Sequence, residues 1–147
     1  LSAVWGCVSL NSAIISSLPL HLRTEDKKLA TNEPLYRLLH DAPNADMTSS
    51  EWLETQSASL DLWGNGYSEI TRDGARIIAL TPLAPDRVVV KRREDGRVRY
   101  LVKSGSRERE IDEDDVLHLR GFTLDGLMGL SPVQCAAETM GGLLDAN

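Results

Sequence analysis

The spacing of apolar residues changes abruptly once, at Gly64-Asn65-Gly66, and that change limits the folds open to this chain. Before it, apolar positions recur every three or four residues; after it they alternate. A helical half followed by an alternating half specifies an α+β domain, not interleaved βαβ units. The 147 residues suit one domain, and 41% hydrophobic against 26% charged residues suffices to bury a core.

In the first half, Val4, Cys7, Val8, Asn11, Ile14, Ile15 and Leu18 form one stripe of a helix over 1–18, ended by Pro19. The stripe makes Cys7 a buried thiol. Residues 20–23 alternate as a short strand. Pro34 opens a short helix carrying Leu35, Leu38 and Leu39, and Asp41-Ala42-Pro43-Asn44 stops it. Thr48-Ser49-Ser50-Glu51 has the form of a capping box, and the helix it starts places Trp52, Leu53, Gln56, Leu60 and Trp63 on one face.

The second half predicts a hairpin over 67–80 with Asp73-Gly74 as a type I′ turn, then a rigid crossing at 81–85. A second hairpin spans 87–103, and 107–111 adds a further strand. An acidic knot at 112–115 precedes an apolar strand at 116–119. The expected fold is an antiparallel meander of five to six strands covered by three main helices. Ser131 caps a last helix with Pro132 at its first position and Val133, Ala136, Ala137, Met140, Leu143 and Leu144 as its seam. Nothing stops this helix before Asn147, and no initiator Met precedes Leu1, so the chain reads as a piece of a longer one. No leader and no 18-residue apolar run is visible. Two distant cysteines make no disulfide framework, which favours a reducing compartment.

Little chemistry is encoded. His118 on its apolar strand could pair with Asp114 or Asp115 as a hydrolytic base, although a satisfied structural histidine explains it as well. The knot at 112–115 lacks the pattern of a calcium loop. The glycine-bearing segment 121–130 follows a strand and precedes a helix but has no phosphate-loop ending, and reads as a mobile or interface loop. We expect no catalytic, cofactor or metal residues.

Charge is unevenly placed. Nine bases (Arg87, Lys91, Arg92, Arg93, Arg97, Arg99, Lys103, Arg107, Arg109) face three acids between 87 and 109, a local charge of +6 in a chain of net −6, so the remainder carries −12. Alternation puts Val98, Tyr100 and Val102 on one face of its strand and Arg97, Arg99, Leu101 and Lys103 on the other. Lys91, Arg92, Arg93, Arg97, Arg99 and Lys103 are therefore the candidates for contact with a subunit, an acidic surface such as the 112–115 knot, or DNA. A solvated, edge-protecting face is the plainer reading. A free-standing duplex-binding module is a third.

Read in order, Ser17-Leu18-Pro19-Leu20-His21-Leu22, Pro34-Leu35-Tyr36-Arg37-Leu38-Leu39 and Ala42-Pro43-Asn44 resemble the opening of a tailed-bacteriophage portal protein. The stretch Leu62-Trp63-Gly64-Asn65-Gly66-Tyr67-Ser68-Glu69-Ile70 resembles that family's most recognisable segment. Leu80 to Val88, Asp115 to Gly121 and Asp125 to Pro132 are similar as well. The resemblance implies the N-terminal, mainly wing, portion of a portal subunit, with the last helix leading toward the stem. It further implies a homo-oligomeric ring, typically of twelve, at one capsid vertex of a tailed phage or prophage. Capsid and terminase proteins would be its partners, and double-stranded DNA would pass through the channel during packaging and ejection. Such a subunit is no enzyme; it resides in the virion and, during assembly, in the bacterial host cytoplasm.

Overall fold

The computed structural model describes residues 2–144, with side chains for 3–138. Four helices and six strands run in the order α1 (Ser2–Ser16), α2 (Pro34–His40), α3 (Ser49–Trp63), β1 (Asn65–Asp73), β2 (Arg76–Leu83), β3 (Val88–Arg92), β4 (Val98–Ser104), β5 (Arg107–Asp112), β6 (Val116–Arg120) and α4 (Pro132–Leu144). The α+β class and its helical cover match the sequence. The strands, however, divide into two antiparallel sheets, β2-β1-β6 and β3-β4-β5. β6 returns to pair with β1, Tyr67 opposite His118, and does not extend the meander beyond β5.

Alternation explains the layering. One face of the first sheet offers Ile70, Leu80 and Leu117 to Leu38 and Trp52 of the helices. The other offers Tyr67 and Val116 to Val88, Tyr100 and Ile111 of the second sheet. The result is helix on sheet on sheet, with β1 central. The helix–sheet seam is polar at one point. Trp52 Nε1 and Gln56 Nε2 both donate to the buried Ser68 Oγ, at 2.9 and 3.1 Å, which partners these buried atoms, whereas the buried Gln56 Oε1 has no hydrogen-bond partner among the described residues.

Local chemistry sets the element ends. Thr48 and Glu51 form the expected capping box, and Gly64 closes α3 in the left-handed region at φ 71°. At the 67–80 hairpin, Asp73 pairs with Arg76 and only Gly74 has positive φ, so the turn centres on Gly74-Ala75 and lacks the paired positive φ of type I′. Thr81-Pro82-Leu83 belongs to β2 and is not a free crossing; a 3-10 turn at Pro85–Arg87 makes the step between sheets. Residues 20–23 form no strand, only an isolated bridge from Arg23 to Leu29. Pro43 O accepts from Leu80 N at 2.7 Å and Asn44 Nδ2 donates to Leu80 O at 2.9 Å, so that loop covers the outer edge of β2.

α1 departs most from expectation. Its buried positions are Val8, Ser12 and Ser16, whereas Val4, Cys7, Ile14, Ile15 and Leu18 are exposed. Two stripes compete on this helix, and the serine stripe packs inward because small side chains let α1 and α3 approach closely. Their hydroxyls bond within the helix, Ser12 Oγ to Val8 O at 2.8 Å, so burial leaves them satisfied. Asn11 to Asp61 and Ser50 to Ser16 O fix the antiparallel pair. In α4, Val133 is half-buried and Ala136 and Ala137 are exposed; Met140, Leu143 and Leu144 lie outside the residues with described side chains, as Leu1 and Asn147 lie outside the described chain. No helix among the described residues is long and apolar enough to cross a membrane.

Candidate functional site

The cationic candidates stand on the outer sheet. Three are engaged by carboxylates of their own chain. Arg97 bonds Glu113 at 3.0 Å and Asp114 at 2.6 Å, while Glu113 also accepts from Val98 N at 2.8 Å. That backbone amide, then Arg97, holds the Glu113 carboxyl below the usual range. Arg93 pairs with Glu110 and with Asp112 (3.1 Å), and Arg99 reaches Glu110 at 3.3 Å. The 112–115 knot thus receives the hairpin of its own chain, and Arg72 takes Asp115 at 3.2 Å. Arg92 bonds only a carbonyl, Gly96 O at 3.0 Å, and Lys91 and Lys103 have no carboxylate within 4.0 Å among the described residues. Of the nine bases between 87 and 109, Arg93, Arg97, Arg99 and Arg109 are paired with carboxylates of the same chain, which leaves Arg87, Lys91, Arg92, Lys103 and Arg107 without one among the described residues. One further pair, Arg109 with Glu69, bridges the two sheets.

His118 lies between the sheets and not beside a carboxylate. Its Nε2 is 3.0 Å from Asn65 Oδ1 and its Nδ1 is 3.2 Å from the Tyr100 hydroxyl. Its ring centroid is 4.4 Å from that of Tyr67. Burial, aided by Arg120, lowers its pKa to about 4. A neutral imidazole that accepts from Tyr100 and donates to Asn65 fits both contacts. The histidine–aspartate base foreseen from sequence does not form, because Asp114 and Asp115 are turned to Arg97 and Arg72. No group of three or more metal-ligating side chains occurs among the described residues.

What His118 supports is the segment 121–130. Asn65 Oδ1 accepts from Gly129 N at 2.7 Å and its Nδ2 donates to Gly129 O at 2.8 Å, one amide pairing with one backbone unit. Gly121 N donates to Gly64 O at 2.9 Å. A Cβ on Gly64 or Gly129 would overlap the opposing carbonyl, of Leu130 and Gly64 respectively, so both positions require glycine. The segment is a small hairpin with a Thr123–Gly129 bridge. Asp125 Oδ1 accepts from Leu127 N and Met128 N, so the tip amides are used internally and offer no phosphate cradle. Phe122 and Leu124 are 74% and 79% exposed on it. Sequence reasoning missed this pair and Asn65; Gly64 and Gly66 on either side of Asn65, with Gly121, Gly126 and Gly129 in 121–130, were the available signal.

This arrangement stiffens the hairpin at 121–130 against the end of α3 and the start of β1. The family model described as phage portal protein matches residues 2–147. The chain belongs to the phage portal protein family. The portal protein of Enterobacteria phage HK97 is 35% identical over 96% of this chain, which covers 34% of that protein. Protein BeeE of Escherichia coli K12 is 34% identical over 60% of the chain and 59% of its own length. The chain thus spans about a third of one relative and under two thirds of the other. Among solved structures, a chain from the neck of an empty GTA particle, computed with C6 symmetry, superposes with a TM-score of 0.82 at 28% identity, over 90% of this chain and 37% of that one. An HK97 family portal protein from Corynebacterium diphtheriae, 17% identical, shares the fold at a TM-score of 0.60 over 93% of this chain and 41% of its own.

Proposed function

We propose that this portal-family chain is the wing-forming portion of a structural portal subunit, with α4 leading toward the stem. Copies assemble into a ring at one capsid vertex, and double-stranded DNA passes through that ring during packaging and ejection. Capsid and terminase proteins dock on it, and it acts in the virion after assembly in the host cytoplasm. It makes and breaks no bonds. The observation that carries this reading is the fold match to a neck component of a symmetric particle over nine-tenths of the chain.

The electrostatics support a conduit over a DNA-gripping module. Each phosphate contact by Lys or Arg adds affinity through counterion release, and here Arg93, Arg97 and Arg99 are already neutralised within the subunit. Lys91, Arg92 and Lys103 remain as candidates for a light contact with a neighbour or with DNA. Negative-stain microscopy of the purified protein tests the reading: closed rings support it. A lone subunit at every concentration, or tight salt-sensitive retardation of duplex DNA by that subunit, refutes it.

A further inference from the structure

We propose that the hairpin at 121–130 of one copy seats Phe122 and Leu124 in the apolar groove between α1 and α4 of the next copy; this rests on the ring reading above. The projection is stiff before it binds. Leu130 N donates to Phe122 O at 2.7 Å, Gly126 N to Thr123 Oγ1 at 2.9 Å, and the base is clamped by Asn65. A frame so fully hydrogen-bonded has already lost most of the freedom that docking would otherwise cost it. Two large apolar side chains displayed on such a frame mark a contact site.

The recess is on the same chain. Val4, Cys7 and Val8 of α1 face Val133, Ala136 and Ala137 of α4 across a groove of about 570 Å³. Its one charged wall residue, Asp61, is held by Asn11 at 2.7 Å. The groove exists because α1 turns its serines inward and its apolar stripe out.

Chemistry and symmetry select the occupant. A cyclic ring requires a heterologous interface, one patch meeting a different patch on an identical neighbour, and this chain carries both an apolar projection and an apolar recess. Copies of net charge −6 repel, and neither Phe122 nor Leu124 nor the groove adds charge of its own beyond Asp61. The recess offers nucleic acid no cation.

Cys7 in the groove makes the contact testable. In a Leu124→Cys, Cys135→Ser protein, a short bis-maleimide should join residue 124 of one copy to Cys7 of the next and give a ladder of dimers, trimers and larger species on a denaturing gel. Adding Cys7→Ser should abolish it. Phe122→Asp with Leu124→Asp should lower ring yield about tenfold or more with an unchanged circular dichroism spectrum. Normal rings from the double aspartate variant without a ladder overturn this inference while the ring reading stands. A ladder that stops at dimer, or a crosslink confined to one chain, also overturns it. Wild-type protein without rings, together with a Leu124→Cys, Cys135→Ser protein without a ladder, overturns both.

Discussion

Replacing Asn65 by alanine should cost this domain a large share of its stability, and the structure sets the size of the loss. The side chain is 2% exposed and takes part in four hydrogen bonds, with Gly129 N, Gly129 O, Trp63 O and His118 Nε2. Trp63 O at a helix end and the half-buried imidazole can recover water. The two groups of the buried Gly129 cannot, and each buried group left without a partner costs about 1–3 kcal/mol. The expected loss is therefore about 2–6 kcal/mol, against a total of roughly 5–15 kcal/mol for an ordinary domain. With a urea slope of about 1–3 kcal/mol/M, the midpoint should fall by roughly 2 M. The same variant should be cut faster by trypsin after Arg120, at the foot of the released hairpin. A loss below about 1 kcal/mol with unchanged proteolysis would show that the amide does not hold the loop, and would refute the account of the site.

Three other outcomes follow from the geometry. His118 is held neutral by burial, with its pKa lowered to about 4; below pH 6.5 the unfolded chain gains a proton that the folded one refuses. Stability should thus decline from pH 6.5 toward 4 by about 2–3 kcal/mol, and His118→Gln should lack that component in urea titrations against pH. Ser12→Leu should destabilise by about 1–3 kcal/mol through overpacking at a site 1% exposed, whereas Ile14→Ser on the outward face should shift the thermal midpoint little. Arg97→Ala removes two exposed ion pairs and should lower the thermal midpoint only slightly, a difference that shrinks in high salt.

The two halves of the fold were legible because each writes its own period. The capping box at Thr48 and the stop at Gly64 are local chemistry and appear where the residues place them. The division into two sheets was not legible. Nothing local in 107–119 says that Val116 pairs with Glu69 and leaves Ile111 behind, since strand pairing across some 47 residues is set by which faces bury best. α1 failed for a related reason: hydrophobicity marked one stripe, but packing distance rewarded the serines. The basic hairpin was visible as charge, while its neutralisation was not, because Glu110 and Glu113 come from a later strand and turn. A charge-reversal test of Arg97 and Arg99 would therefore disturb the subunit itself; Lys91 and Lys103 are the positions that report on contacts outside it.

The paths into and out of the outer sheet lie close together. Tyr67 is flanked by Leu83, where the polypeptide departs, and by His118, next to where it rejoins, only two strand spacings apart, about 10 Å. Residues 84–115 are therefore a detour grafted onto a platform whose own hydrogen-bond ladder closes without them. Its turns and outward face can be rebuilt by an engineer while the underlying three strands keep their alignment, provided Val88, Tyr100 and Ile111 still cover Tyr67 and Val116.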